Sequence, residues 1–330
     1  MSEPVTIKRG TEIELEIESL AYGGMGLARI ENFVIFVKHA IPGQKVLARI
    51  YKKRKGYAEA QVLETLVESP NAVDICCKHY WICSKIQNLS YDEQIKEKSS
   101  QVEDAFIRLG GFLNFKLDKV QKANLIYHYR NKMEFTFSPN RWVLESEPEG
   151  VDKSFALGLH IPGRFDKILD IHNCHIQPEI GNKILAVARE VCLANPELRP
   201  YDPRSHVGFL RFLMLRFGVN TGDLMVNVVT SYHDIDKLSP LTDLLLEKFP
   251  EITSLVNNVN TRKADVAFGE YETLLYGKPF IQEKIGDLTF EISANSFFQT
   301  NTTQGEVLYK EVEEALELKG DEIIYDLYCG

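Results

Sequence analysis

The chain has 330 residues, 44% hydrophobic and 26% charged, with a formal net charge of −9. A chain of that size can bury a large core in two or three domains, and its acidic balance excludes a protein that coats nucleic acid indiscriminately. A local basic face stays compatible with it, because phosphate contacts act within a Debye length of about 8–10 Å. No apolar run approaches the roughly 18–20 residues that span a bilayer. The start, Met1-Ser2-Glu3-Pro4-Val5-Thr6, has neither the basic nor the apolar region of a secretion signal. Six cysteines are too few for a disulfide scaffold in a chain this long. The expectation is a cytoplasmic protein, without membrane contact, whose thiols bind metal or react.

Residues 1–66 read as a small all-β unit. Glu12-Ile13-Glu14-Leu15-Glu16-Ile17 alternates polar and apolar with period two, as a half-buried strand does. Gly23-Gly24-Met25-Gly26 is a turn, and the runs 33–37, 45–50 and 58–63 supply further strands. Pro42-Gly43 and the basic run Lys52-Lys53-Arg54-Lys55 are connections. The density of short strands predicts a five-stranded barrel of the oligonucleotide-binding type. Over residues 1–65 Lys and Arg outnumber Asp and Glu, reversing the sign of the whole chain. The basic run alone reads equally as a solvated hairpin tip.

Residues 67–290 read as a central α+β domain that includes a cysteine-bearing stretch at 76–90 and Cys174. From Tyr91 to Leu109 the apolar spacing is helical, with Ser90 placed to cap its start and Gly110-Gly111 its end. Strands are expected around 133–138, 155–160, 209–217 and 224–230, with helices near 178–194 and 236–248. The pattern lacks the steady strand–helix alternation of a parallel sheet. Residues 291–330 begin a Rossmann-like α/β domain: a helix over 303–317, then a buried strand, Tyr325-Asp326-Leu327-Tyr328-Cys329-Gly330, opening into a glycine turn of the kind that lets a nucleotide-type cofactor approach the backbone.

Several phrases, taken in order, carry a family resemblance. Ser19-Leu20-Ala21-Tyr22-Gly23-Gly24-Met25-Gly26, Ile41-Pro42-Gly43-Gln44-Lys45-Val46 and the basic hairpin after them resemble a TRAM domain, an RNA-binding barrel. Then come Cys77-Lys78-His79-Tyr80-Trp81-Ile82-Cys83, Tyr129-Arg130-Asn131-Lys132, His172-Asn173-Cys174, Asn258-Val259-Asn260, Ser296-Phe297-Phe298-Gln299 and Asp326-Leu327-Tyr328-Cys329-Gly330. Any one is weak; the ordered set resembles the RNA uracil-5-methyltransferase family, in particular its TRAM-bearing 23S rRNA branch.

The resemblance implies S-adenosylmethionine-dependent methylation of carbon 5 of a uridine in 23S rRNA, performed by a monomer. It implies cofactor contacts from Gln299 and Tyr328, and it shifts Lys52, Lys53, Arg54 and Lys55 from solvated tip towards RNA contact, with Arg130 and Lys132 as further RNA candidates. A tRNA uracil-5-methyltransferase is the rival enzyme, disfavoured because that branch typically lacks the TRAM domain; a non-catalytic RNA-binding module is the rival from another class. The family's nucleophilic cysteine, whose thiolate adds to carbon 6 of uracil, and its general base lie in a segment that follows the Asp-Leu-Tyr-Cys-Gly phrase. The expectation is therefore a truncated chain with no catalytic residue of its own, inactive by itself, with Cys329 only part of the turn.

Family members also carry Cys-x5-Cys-Gly-Gly-Cys and one distant cysteine as ligands of a 4Fe–4S cluster. Cys77 and Cys83 keep the first spacing and Cys174 fits the distant ligand, but Ser84-Lys85 stands where the third cysteine belongs. Four outcomes stay open: a cluster completed by Cys76, a labile three-thiolate cluster, no cluster, or a sequence error. Ordinary buried thiols are the plain alternative. The narrow expectation is an inherited cluster site. His79, His172 and His175 lack zinc-site cysteine spacing around them.

Overall fold

The computed structural model describes residues 7–264 and 266–327. It separates into two compact units, the first ending at Lys122 and the second beginning at Ala123.

The first unit opens with six strands: β1 (Glu12–Glu16), β2 (Ser19–Ala21), β3 (Met25–Ile30), β4 (Phe33–Lys38), β5 (Lys45–Lys53) and β6 (Tyr57–Val67), in the order β1-β5-β6-β4-β3-β2. All neighbours are antiparallel except β4 and β6, and β1 returns beside β3 to curl the sheet. The expected five strands become six because Gly23 and Gly24, both at positive φ, fold the second stretch back on itself as a hairpin. Period-two alternation puts Leu15, Ile17, Ala28, Ile35, Val37, Val46, Ala48, Ile50, Ala58 and Ala60 into one core. Gly26 is demanded by that packing, since a Cβ there would lie 2.9 Å from Ile17 Cγ2 and 3.0 Å from the Ala40 carbonyl.

A one-turn helix α1 (Tyr80–Cys83) and the longer α2 (Tyr91–Asp104) follow, with a wide π turn over Ala105–Leu109. Ser90 precedes α2, but its side chain makes no capping bond; its carbonyl accepts from the Gln94 N–H instead. The helix is tied to the barrel from its side chains: the Leu20 N–H donates to Glu97 Oε2 at 2.8 Å, and Gln101 Nε2 donates to the Leu20 carbonyl at 3.1 Å. The cysteine stretch and α2 thus fall in one unit with the barrel, whereas the expected boundary lay at residue 66.

The second unit is an eight-stranded sheet in the order β14-β13-β12-β11-β7-β9-β10-β8. Its strands are β7 (Lys132–Ser138), β8 (Arg141–Trp142), β9 (Ala156–His160), β10 (Ile168–Asp170), β11 (Leu210–Phe217), β12 (Leu224–Thr230), β13 (Ser254–Val259) and β14 (Tyr271–Gly277). Every residue of β11, β12 and β13 is buried, as in a sheet covered on both faces. Helices α3 (Glu179–Ala194) and α4 (Ile235–Lys248) pack together; α4 connects β12 to its parallel neighbour β13, which needs such a crossover.

A separate hairpin, β15 (Phe280–Ile285) and β16 (Leu288–Ser293), precedes α5 (Thr302–Leu316). Ile281, Ile292 and Ala294 from this region pack with Met225 and Val256 of the large sheet. Residues 321–326 form no strand, and Ile323, Tyr325 and Leu327 are 81%, 81% and 76% exposed. The buried strand expected there is not formed. Such a strand is stable only between neighbours that satisfy its N–H and C=O groups, and none lies beside it among the described residues. Tyr328, Cys329 and Gly330, part of that expectation, lie outside the described residues.

Candidate cofactor platform and nucleic-acid interface

In the second unit the Ser296–Gln299 phrase is gripped from several strands. Asn131, at the entry to β7, donates through Nδ2 to the Gln299 carbonyl and to Thr302 Oγ1, each at 2.8 Å, while its N–H donates to the Thr300 carbonyl at 2.9 Å. Thr302, fully buried in the first turn of α5, donates its hydroxyl to Glu283 Oε2 at 2.8 Å. Glu283 is itself fully buried on β15 and accepts further bonds from the N–H groups of Val219 (2.7 Å), Asn220 (2.9 Å) and Lys284 (2.9 Å). A buried carboxylate with that many donors is satisfied without a cationic partner.

Arg216 of β11 completes the grip, donating to the carbonyls of Ala294 (3.1 Å from Nη2) and Ser296. Burial pulls its guanidinium down to about 10, opposed by the charge of Glu134. Asn301 caps α5, its side chain accepting from the Gln304 N–H at 3.1 Å. Phe298 packs into the sheet core and lies 5.7 Å from the Phe290 ring, while Phe297 is 84% exposed.

Two side chains are left presented on an immobilised backbone. The Gln299 carbonyl is engaged by Asn131, but its half-buried side-chain amide makes no hydrogen bond among the described residues. An uncommitted amide and, two residues before it, an exposed aromatic ring are side-chain types that suit a ligand bearing an adenine, polar groups and a sulfonium. Tyr328, the second expected cofactor residue, lies outside the described residues.

The sequence singles out Gln299, carries Asn131 only within a motif and Thr302 only as a helix-flank residue, and gives no role to Glu283 or Arg216. Glu283 left one signal, a carboxylate at the inward register of β15 two residues after buried Ile281.

The expected RNA-contact residues divide between the units. In the first, β5 runs to Lys53 and β6 resumes at Tyr57, so the basic run is a strand end plus a tip. Lys52 pairs with Glu59 at 2.5 Å and sits 5.8 Å from the Tyr57 ring centroid; Lys53 sits 5.1 Å from the Phe33 ring. No carboxylate pairs with Lys53, Arg54 or Lys55 among the described residues. In the second unit Arg130 Nε donates to the Lys132 carbonyl at 2.9 Å, and Lys132 pairs with Glu134 at 2.5 Å. Lys52 and Lys132 are therefore partly neutralised, whereas the tip residues and Arg130 have no carboxylate partner among the described residues.

The cysteines lend no support to a cluster. Among the described residues no group of three or more His, Cys, Asp or Glu side chains is placed to hold a metal ion. Cys76 Sγ and the Cys77 N–H both turn towards Gln87 Oε1, at 3.5 and 3.2 Å. Cys83 ends the short α1 and is exposed. Burial pushes the Cys174 thiol up, and it lies in the second unit. The expectation of an inherited iron–sulfur site on Cys76, Cys77, Cys83 and Cys174 is not supported. His172 instead lies 3.0 Å from Asp170.

Comparison with known proteins settles the broad class. The TRAM domain family model matches residues 7–63. Across 96% of its length the chain is 39% identical to a protein of Porphyromonas gingivalis named an uncharacterized RNA methyltransferase, covering 70% of that protein. A Chlorobaculum tepidum protein of the same description is 41% identical over 99% of the chain, which again covers 70% of it. The chain belongs to the RNA methyltransferase family. Its fold resembles that of a tRNA (uracil-54, C5)-methyltransferase from Pyrococcus abyssi, solved with S-adenosyl-L-homocysteine, at a TM-score of 0.65 and 24% identity. That match covers 91% of this chain and 64% of the other. No helix among the described residues is long and apolar enough to cross a membrane.

Proposed function

We propose that this RNA methyltransferase uses S-adenosylmethionine to methylate carbon 5 of a uridine in 23S rRNA. The observation that carries the reading is the fixed Ser296–Gln299 platform, in which Asn131, Thr302, Glu283 and Arg216 hold the backbone and leave the Gln299 amide for a ligand. When bound, the cofactor supplies an electrophilic methyl group. The chain's part is to fix Gln299 against it, with Tyr328 as the second contact, and to hold RNA phosphates at Lys53, Arg54 and Lys55, aided by Lys52, Arg130 and Lys132. Burial raises the thiols of Cys174 and Cys192, the latter to about 12. Neither suits the role of nucleophile, and we assign that role to no described residue. A monomer working in the cytoplasm belongs to the same proposal.

A tRNA substrate is the second reading, favoured by one observation. The Pyrococcus abyssi tRNA enzyme matches 91% of this chain, so the match extends into the barrel at residues 7–63. A TRAM-type barrel is therefore compatible with tRNA, and it does not by itself disfavour that substrate. Methylation at carbon 5 displaces the proton there, so RNA tritiated at carbon 5 of uridine reports the reaction. Protein expressed from the complete gene is expected to release tritium from 23S rRNA in a cofactor-dependent way. Release from tRNA alone would move the assignment to the second reading, and release from neither would overturn both.

A further inference from the structure

A groove of about 750 Å³ opens in the first unit, lined by His39, Gln44, Thr65, Glu68, Ala72, Val73, Asp74, Ile75, Tyr80 and Asn88. None of these was singled out by sequence motif as a binding residue. The volume lies within the roughly 300–1,000 Å³ typical of small-ligand sites. Its walls come from the end of β4, the far end of β6 and the segment that leads into α1.

Three features mark it as more than a gap. Asn88 Oδ1 is occluded from water with no hydrogen-bond partner, a costly state for an amide oxygen that ends if a donor draws the side chain into the groove. His39 holds a left-handed backbone, φ 63°, uncommon outside glycine and concentrated at ligand clamps; its ring packs edge-on against Trp81, with centroids 6.5 Å apart. Glu68 spends one oxygen on Gln44 Nε2 at 3.0 Å and keeps the other. With Asp74 it makes the lining rich in acceptors.

That chemistry selects among ligands. Two carboxylates disfavour a phosphate inside the groove. An exocyclic amino group, as on adenine, cytosine or guanine, gives acceptors what they lack, whereas uracil offers none. The rings of His39 and Tyr80 and the aliphatic side chains of Val73 and Ile75 suit the faces of a base, as in single-strand recognition. We propose that this groove is a subsite for one unpaired, amino-bearing nucleobase of the bound RNA, distinct from the uridine that is methylated. The proposal rests on the RNA-binding part of the function proposed above.

Trp81 reports on the groove directly, because the chain has 2 tryptophans and Trp142→Phe leaves it alone. Titration of that variant with single-stranded pentamers of A, C or U is expected to quench Trp81, with A and C acting at about tenfold lower concentration than U. Asn88→Ala and, as a surface change that spares folding, Asp74→Asn should each erase the preference. Equal midpoints for the three pentamers, no quenching by any, or a preference that survives both changes would overturn the proposal. Tritium release without base preference would remove the subsite and leave the methyltransferase reading intact; base preference without tritium release would do the reverse.

Discussion

The Asn131–Thr302–Glu283 network and the Lys52–Lys55 tip use polar residues in opposite ways. In the first, every donor has a buried acceptor and the geometry is fixed at 2.7–2.9 Å. In the second, charges lie at a strand end where water and salt compete for them. The contrast separates two tasks. A small ligand must meet a backbone that does not move, because misplacing the groups that hold it lowers the rate steeply. A phosphate chain needs only positive charge within reach, and a mobile side chain supplies it.

The comparison breaks most visibly at Glu283. Replacing it by Ala would orphan the N–H groups of Val219, Asn220 and Lys284 and the Thr302 hydroxyl, with an expected loss on the order of 3 kcal/mol. The shift in urea midpoint measures it, and Glu283→Gln, which keeps one acceptor oxygen, should lose less. Next comes Asn131→Ala. It frees the Gln299 carbonyl and should lower stability by about 1–3 kcal/mol. In addition it should raise KM for S-adenosylmethionine more than it lowers kcat, a split that separates positioning from general destabilisation.

A smaller effect is expected at Asp166, which accepts from Arg164 at 3.1 Å and pairs with Arg204. The Arg164 hydrogen bonds hold its carboxyl below the usual aspartate value. The folded state therefore binds this proton less readily than the unfolded chain. The stability gained is complete above the ordinary aspartate pKa of about 3.9 and is lost as pH falls below that through the lowered value. Asp166→Asn should flatten the acid limb of a stability–pH profile in that window and leave its neutral shape unchanged. Least affected should be a variant with Lys53, Arg54 and Lys55 all changed to Ala. Its stability is expected to stay within about 0.5 kcal/mol, while the log–log salt dependence of RNA binding becomes shallower by roughly 0.7 for each phosphate no longer neutralised.

Much of the architecture was legible because it is periodic. The alternation from Glu12 to Val62 yielded the barrel and its core, and the helical spacing yielded α2, α3, α4 and α5. Of the hairpin β15–β16 only a strand ahead of α5 was read, although Gly286-Asp287 between two alternating runs is a turn signal. The expected strand is not formed over Tyr325, Asp326 and Leu327, for a different reason. An apolar run is a strand only if a sheet accepts it, and tertiary context is not written in the run itself.

At the site, Gln299 was singled out through motif order and Asn131 merely stood within a motif, because the bond between them spans 168 positions of sequence and left no local trace. Glu283 and Arg216 were hidden because a buried charge looks, in sequence, like an exposed one. The metal expectation rested on the family resemblance and on cysteine spacing. Spacing does not say which way a thiol turns, and the Cys76 thiol turns to Gln87 Oε1.

The most direct measurement of the central claim is mass spectrometry of nucleosides from 23S rRNA, compared between cells with the gene and cells without it. The account predicts that 5-methyluridine at one or more sites of 23S rRNA disappears on deletion, returns with the intact gene, and does not return fully with Asn131→Ala. Unchanged 5-methyluridine in 23S rRNA after deletion would contradict it.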